Sequence, residues 1–222
     1  MQPEKDNAMK YKAIIFDLDG TLTDTLYDLM LSTNYALKEM NWPERRLDEV
    51  RMFVGNGVRR LMEQAVPTDT EEEEFEECFQ IFQTHYVEHC QDHTALYDGV
   101  EELLVELKSR GYKLAIVSNK LQAGVDELYR TFFRDTIQVA IGERPDVRRK
   151  PMPDMVNLAL KELGVAPEEA IYVGDSEVDM ATARNAGLPC ISVLWGFRDQ
   201  DFLREIGAFR MVSKPADILE LV

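Results

Sequence analysis

Six short apolar runs set the limits on how this chain can fold. They lie at Lys12–Phe16, Lys113–Val117, Gln138–Ile141, Ile171–Val173, Cys190–Leu194 and Phe209–Val212, and they are rich in Val, Ile and Ala without a clean polar alternation. A strand with one wet face alternates apolar and polar residues, whereas an unbroken apolar run is buried on both faces, as in a parallel sheet. The stretches Val100–Arg110, Pro153–Leu163 and Val178–Ala186 between them read as helices, and Gly111 and Gly187 stand where the first and last should stop. Strands alternating with helices predict a doubly wound α/β core with right-handed crossovers.

The segment from Asp24 to Ala95 departs from that rhythm. It holds no strong strand pattern but four helical ones, at Leu26–Met40, Arg46–Phe53, Gly57–Val66 and Glu71–His89. It also carries sixteen acidic against six basic residues, and so most of the formal net charge of −16. A shift of this size between the first strand and the next reads as an inserted all-helical cap over residues 24–95, with residues 11–23 and 96–222 forming the core. The acidic run Glu71–Glu74 suits a helix start, where the dipole favours negative charge. The polar leader over residues 1–10 lacks the apolar centre of a signal peptide and is read as disordered.

The charge excludes some partners. An acidic surface repels nucleic acid and anionic membranes, which bind through clustered Lys and Arg. No stretch approaches the roughly 18 apolar residues of a membrane span. Three cysteines, Cys78, Cys90 and Cys190, are odd in number and widely spaced, which argues against a disulfide framework or a zinc cluster. The expectation is a cytoplasmic protein acting on a small molecule; its oligomeric state is not set by the sequence.

Four motifs follow the apolar runs. Asp17-Leu18-Asp19-Gly20-Thr21 comes directly after Ala13–Phe16. Reactive groups in an open α/β sheet collect beyond the carboxyl ends of strands. Two acids crowded after a buried run oppose each other's ionisation, a conflict that a divalent cation resolves. Ser118-Asn119 follows the second run, Lys150-Pro151-Met152-Pro153-Asp154 precedes a helix, and Gly174-Asp175-Ser176-Glu177-Val178-Asp179 follows the run at Ile171–Val173. Each alone has an ordinary reading as a strand end, turn or solvated lysine.

In this order and strand context, the set resembles the haloacid dehalogenase superfamily of phosphatases, within it the phosphoglycolate phosphatase-like group. The resemblance runs from Lys12 to Val222 and includes Val54-Gly55-Asn56-Gly57-Val58-Arg59 in the insertion. It implies a Rossmann-like core, a helical cap and a magnesium-dependent phosphatase for a small phosphate monoester, with phosphoglycolate the leading substrate. Asp17 would attack phosphorus and become an aspartyl phosphate, and Asp19 would serve as general acid and base. Mg2+ would sit on the carboxylates of Asp17 and Asp175 and the carbonyl of Asp19. Ser118, Lys150 and the backbone around Leu18 and Asn119 would bind the phosphoryl group, with Asp179 and Ser176 behind them. Gly55, Asn56 and Arg59 would reach the substrate from the cap, Arg59 ahead of Arg60 as the partner for a second anionic group.

The acid at Asp19 separates the chain from dehalogenases and phosphonatases of that superfamily. The sequence Leu26-Tyr27-Asp28-Leu29, without a histidine, weakens a sugar phosphomutase reading. A pyrophosphatase, nucleotidase or sugar phosphatase, a phosphotransferase, and a non-catalytic phosphate-binding module remain as alternatives. His85, His89 and His93 recur every four residues, a spacing that can bind a transition metal but that chance produces easily.

Overall fold

The computed structural model describes residues 10–222, so the expected leader, Lys10 apart, lies outside the described residues. In chain order the elements are β1 (Ala13–Phe16), β2 (Thr23–Asp24), α1 (Leu26–Glu39), α2 (Leu47–Phe53), α3 (Val58–Ala65), α4 (Glu72–His89), β3 (Ala95–Leu96) and α5 (Val100–Ser109). They continue with β4 (Lys113–Leu121), α6 (Gln122–Leu128) running into a π-helical turn at Tyr129–Phe133, β5 (Val139–Glu143), α7 (Asp154–Leu163) and β6 (Ala170–Gly174). Last come α8 (Glu177–Ala186), β7 (Cys190–Val193), α9 (Gln200–Glu205) and β8 (Met211–Val212).

Six strands form one parallel sheet in the order β5-β4-β1-β6-β7-β8. The architecture is therefore the doubly wound α/β core that the apolar runs predict. Ile14 and Phe16 of β1 enter a cluster with Leu103, Leu104 and Val125 on one side of the sheet. Ala13 and Ile15 enter another with Met155, Val156 and Ala183 on the opposite side. Both faces are dry, which is why the runs show no polar alternation. The chain leaves β1 for β4 and β5, then crosses back to β6 on the other flank of β1. Strand order thus reverses beside β1, and a crevice opens at its carboxyl end.

Helices α1 to α4 share a separate apolar cluster that includes Leu29, Leu61, Met62, Phe75 and Phe82. The chain enters and leaves this unit through a two-stranded antiparallel ribbon pairing Thr23 with Leu96 and Asp24 with Ala95. No strand is expected there from sequence, because two-residue strands have no periodicity to read. The α6 helix and its π-helical turn were likewise without a sequence signal, since Gly124 interrupts the helical pattern. At the other edge β8 is shorter than the expected run from Phe209, and Phe209 is 78% exposed.

Strand β4 extends beyond the expected Val117 to Leu121, and its register against β5 shifts between those two residues. Such a shift takes Ser118, Asn119 and Lys120 off the regular ladder and re-aims their side chains. Among the described residues, no helix is long and apolar enough to cross a membrane.

Candidate active site

The ends of β1, β4 and β6 and the segment before α7 meet in one crevice. Asp17 follows β1, its amide bonded to the Val173 carbonyl of β6 at 2.9 Å. The next residues turn tightly around Leu18, whose carbonyl accepts from the amides of Leu22 (2.9 Å) and Thr23 (3.0 Å). The Leu18 side chain is buried in the core, which leaves its backbone amide as the group it can offer a ligand. Gly20 has φ +87°, and a Cβ there would lie 2.6 Å from Asp175 Oδ2, so the turn needs glycine for both conformation and space.

Lys150 Nζ lies 2.7 Å from Asp17 Oδ1 and 2.8 Å from Asp179 Oδ1, with all three groups nearly inaccessible. Asn119 aligns this lysine. Its Oδ1 accepts from the Lys150 amide at 2.8 Å, and its Nδ2 donates to the Lys150 carbonyl at 3.1 Å and the Gly55 carbonyl at 3.3 Å. Asp175 accepts from Thr21 Oγ1 at 3.3 Å and from the Phe197 amide at 2.7 Å. Ser176 caps α8, and its hydroxyl donates to Asp179 Oδ2 at 2.6 Å.

Carboxylate oxygens of Asp17, Asp175 and Asp179 all lie within 4.8 Å of one another. Asp179 is held below the ordinary carboxylate range: burial opposes its charge, but Lys150 and hydrogen bonds from Lys150, Ser176 and Tyr172 outweigh it. Burial and the proximity of Asp179 push Asp175 up to about 7. The same two effects push Asp17 well above its ordinary value despite the attraction of Lys150. Three buried carboxylates therefore share one ammonium, and two of them lack compensation.

The helical unit narrows the crevice to a small space of about 40 Å3, lined by Asp17, Asp19, Ser118, Asn119 and Lys150 from the core side and by Leu29, Val54, Gly55, Val58 and Leu61 from the other. Lys120 and Tyr86 complete the wall. Lys120 Nζ pairs with Asp19 Oδ1 at 3.2 Å and bonds to Tyr86 Oη. Neither residue is singled out by the sequence reading. Lys120 carried a signal, as a lysine directly after Ser118-Asn119; Tyr86 lies in an aromatic ladder with Phe75, Phe79 and Phe82 that reads as packing. Tyr172, whose hydroxyl donates to Asp179 Oδ1 at 3.1 Å, was also missed inside its apolar run.

The structure corrects the expectation for Arg59. Its guanidinium bonds to Glu76, lies 3.5 Å from Glu72 Oε1 and stacks over the Phe75 ring at 4.9 Å. Val58 and Leu61 are the α3 residues that face the crevice, and Arg59, one step round the helix, is drawn to acids on α4. Arg60 is exposed and pairs with Glu63 at 2.9 Å. Asn56 does not line the crevice, although Gly55 and Gly57 on either side do. Of the three histidines, His85 and His89 stack with ring centroids 4.3 Å apart, their Nδ1 atoms meeting Ser32 and Asp92, while His93 turns away to Asp28.

Comparison with known proteins places these features in a family. The family described as haloacid dehalogenase-like hydrolase matches residues 14–193. A phosphoglycolate phosphatase of Aquifex aeolicus is 35% identical over 95% of this chain and 96% of its own length. One of Nitrosococcus oceani is 34% identical over 94% and 95%. The solved structure of a protein from Lactobacillus delbrueckii subsp. bulgaricus, 34% identical, superposes with a TM-score of 0.91 over 96% of this chain and 98% of that one.

Proposed function

We propose, because this chain belongs to the haloacid dehalogenase-like hydrolases, that its crevice is a phosphatase centre for 2-phosphoglycolate, with Asp17 as the nucleophile. The chain is a phosphoric monoester hydrolase of that family, as its phosphoglycolate phosphatase relatives are by name. The observation that carries the reading is the Lys150 ammonium 2.7 Å from Asp17 at the carboxyl end of the central strand, with Asp175 beside it.

The donor set fits magnesium. It is all oxygen, with neither sulfur nor imidazole, which suits a hard cation. Burial and the neighbouring Asp179 disfavour the charge on Asp17 and Asp175, which a bound cation would offset. Both Asp179 oxygens are already engaged, accepting from Lys150, Tyr172, Ser176 and the Asp175 amide. Asp17, Asp175 and the carbonyl of Asp19 are left to hold Mg2+, which when bound would neutralise phosphoryl oxygens and orient the ester.

Asp17 attacks phosphorus, the bond to the ester oxygen breaks, and the Asp19 carboxyl gives that oxygen its proton as the alcohol leaves. Asp19, now ionised, takes a proton from water as the water attacks the aspartyl phosphate, releasing phosphate and restoring both carboxyls. Lys150 faces the charge that develops on the phosphoryl oxygens, and Asn119 and Asp179 hold it in place. Ser118 Oγ supplies a further hydrogen bond from the same wall. Residues 24–95 act as a cap that keeps bulk solvent from the crevice while the phosphoryl group passes to Asp17, and the single water that Asp19 activates then enters to hydrolyse the acyl phosphate. The net charge of −16 favours a small substrate over nucleic acid, and three free cysteines agree with a cytoplasmic setting.

The test is release of inorganic phosphate from 2-phosphoglycolate, against a panel of sugar phosphates, nucleotides and pyrophosphate, with Mg2+ and with chelator. Asp17→Asn should lower kcat by at least about 10,000-fold with the fold intact. Turnover by a verified Asp17→Asn protein would sink the mechanism, and preference for another panel member would sink the substrate.

A further inference from the structure

The crevice contains a second buried cation that the phosphoryl chemistry does not use. Of the two lysines lining it, Lys150 is held between Asp17 and Asp179. Lys120 stands apart, 4% exposed, against Asp19 Oδ1 at 3.2 Å and the Tyr86 hydroxyl of α4. An ammonium has three donors. Asp19 and Tyr86 take two, and the third remains for whatever enters the space that Lys120 lines.

We propose that Lys120 is the specificity-determining cation of this site, binding a carboxylate carried by the leaving group one carbon from the ester oxygen. The proposal rests on the phosphatase reading above, in which Asp19 protonates that oxygen. The group that touches the ester oxygen is then the neighbour of Lys120, so an anion that Lys120 can reach sits close to the scissile bond. Among the described residues, other cations near the crevice are turned away or paired: Arg59 faces α4, Arg198 is tied to Glu177 and to the carbonyls of Arg51 and Val54, and Arg149, beside Gly57, faces Glu143 at 3.7 Å. The wall facing the core is apolar, formed by Leu29, Val54, Val58 and Leu61.

Burial makes this contact selective. A lysine taken out of water is costly unless it is paired, and charges inside a closed, dry site interact far more strongly than at the surface. Lys120 is locked by its surroundings: its stem packs on Gly124 of α6, where a Cβ would come within 3.2 Å of the lysine Cε. A neutral leaving group of the same length, such as an alcohol, could accept a hydrogen bond from the free donor but would bring no charge to meet the buried ammonium. Tyr86 comes from the helical unit and Asp19 from the core, so the same lysine is completed only when the two units are together.

The experiment compares 2-phosphoglycolate with 2-hydroxyethyl phosphate, which replaces the carboxylate by a neutral alcohol, for the wild type, Lys120→Met and Lys120→Gln. The wild type should prefer the acid by on the order of 100-fold in kcat/KM. Both variants should bring that ratio to within about fivefold of unity, with KM for the acid rising. Lys120→Gln retains a donor for Asp19 without the charge, and thermal melting confirms which variants are folded. As a readout without turnover, calorimetry with Mg2+ should show 2-phosphoglycolate binding to Asp17→Asn and weakening by at least about tenfold in the Asp17→Asn/Lys120→Gln double variant. Equal losses on both esters, with unchanged binding in the double variant, would overturn the proposal and leave Lys120 as a positioning residue for Asp19. A wild type that hydrolyses other esters but not phosphoglycolate would overturn the substrate reading and this proposal with it.

Discussion

Asn119 grips Lys150 by both polar groups of its backbone, accepting from the amide at 2.8 Å and donating to the carbonyl at 3.1 Å. Through this pair the end of β4 fixes the position of a lysine that precedes α7, and with it the ammonium that faces Asp17. Asn119→Ala would leave two buried backbone groups unpaired, each costing about 1–3 kcal/mol. We expect a stability loss of that order and a fall in kcat of about 10- to 100-fold with a smaller change in KM. Steady-state kinetics and chemical denaturation check it, and wild-type kcat in the folded variant would contradict it.

The buried carboxylates predict how stability depends on pH and metal. Asp175 titrates near 7 and Asp17 is also raised, while unfolded carboxyls titrate near about 4. The metal-free folded state therefore holds more protons than the unfolded state across that window, and stability falls as pH rises through it. Asp179, shifted downward, contributes only below the window. A bound cation replaces those protons, so its stabilising effect should grow from about pH 5 to 7.5 and then level off. Thermal melts in chelator and in excess Mg2+ test this; a metal increment larger at pH 5 than at 7.5 would refute it.

Arg59 should matter little. Its partners lie on the exposed face of α4, and surface ion pairs of this kind contribute weakly. Arg59→Ala should leave kcat/KM for 2-phosphoglycolate and for 2-hydroxyethyl phosphate within about threefold of wild type. A selective loss on the acid would restore Arg59 as a substrate contact and displace Lys120.

Arg51 and Arg198 tie the helical unit to the core reciprocally. Arg198 donates to the carbonyls of Arg51 (3.1 Å) and Val54 (2.9 Å), and Arg51 donates to those of Phe197 (2.7 Å) and Gly196 (2.8 Å). Since residues 51–54 end α2 just before the crevice-lining Gly55, Arg198→Ala should loosen closure and change kcat and KM together, by about tenfold or more in kcat/KM. Hydrogen exchange should quicken over 47–58 while β1 and β6 stay protected. Unchanged exchange there would rule out the tie as a closing contact.

How far the sequence reaches is clear from particular residues. Asp17, Ser118 and Asp175 could be placed without a structure, because each follows an apolar run dense enough to announce a buried strand. Parallel strands bring their carboxyl ends to one edge of the sheet, so order along the chain becomes proximity in space. The helices of the insertion were legible for the same local reason, their periodic apolar faces. What the tertiary structure alone decided is which way side chains point where two units meet. Arg59 turns outward because acids of α4, distant in sequence, lie beside it; Lys120 turns inward because β4 breaks register after Val117 and Tyr86 descends from the other unit. A buried cation and a surface one look alike in a sequence, since what separates them is the set of neighbours that folding supplies.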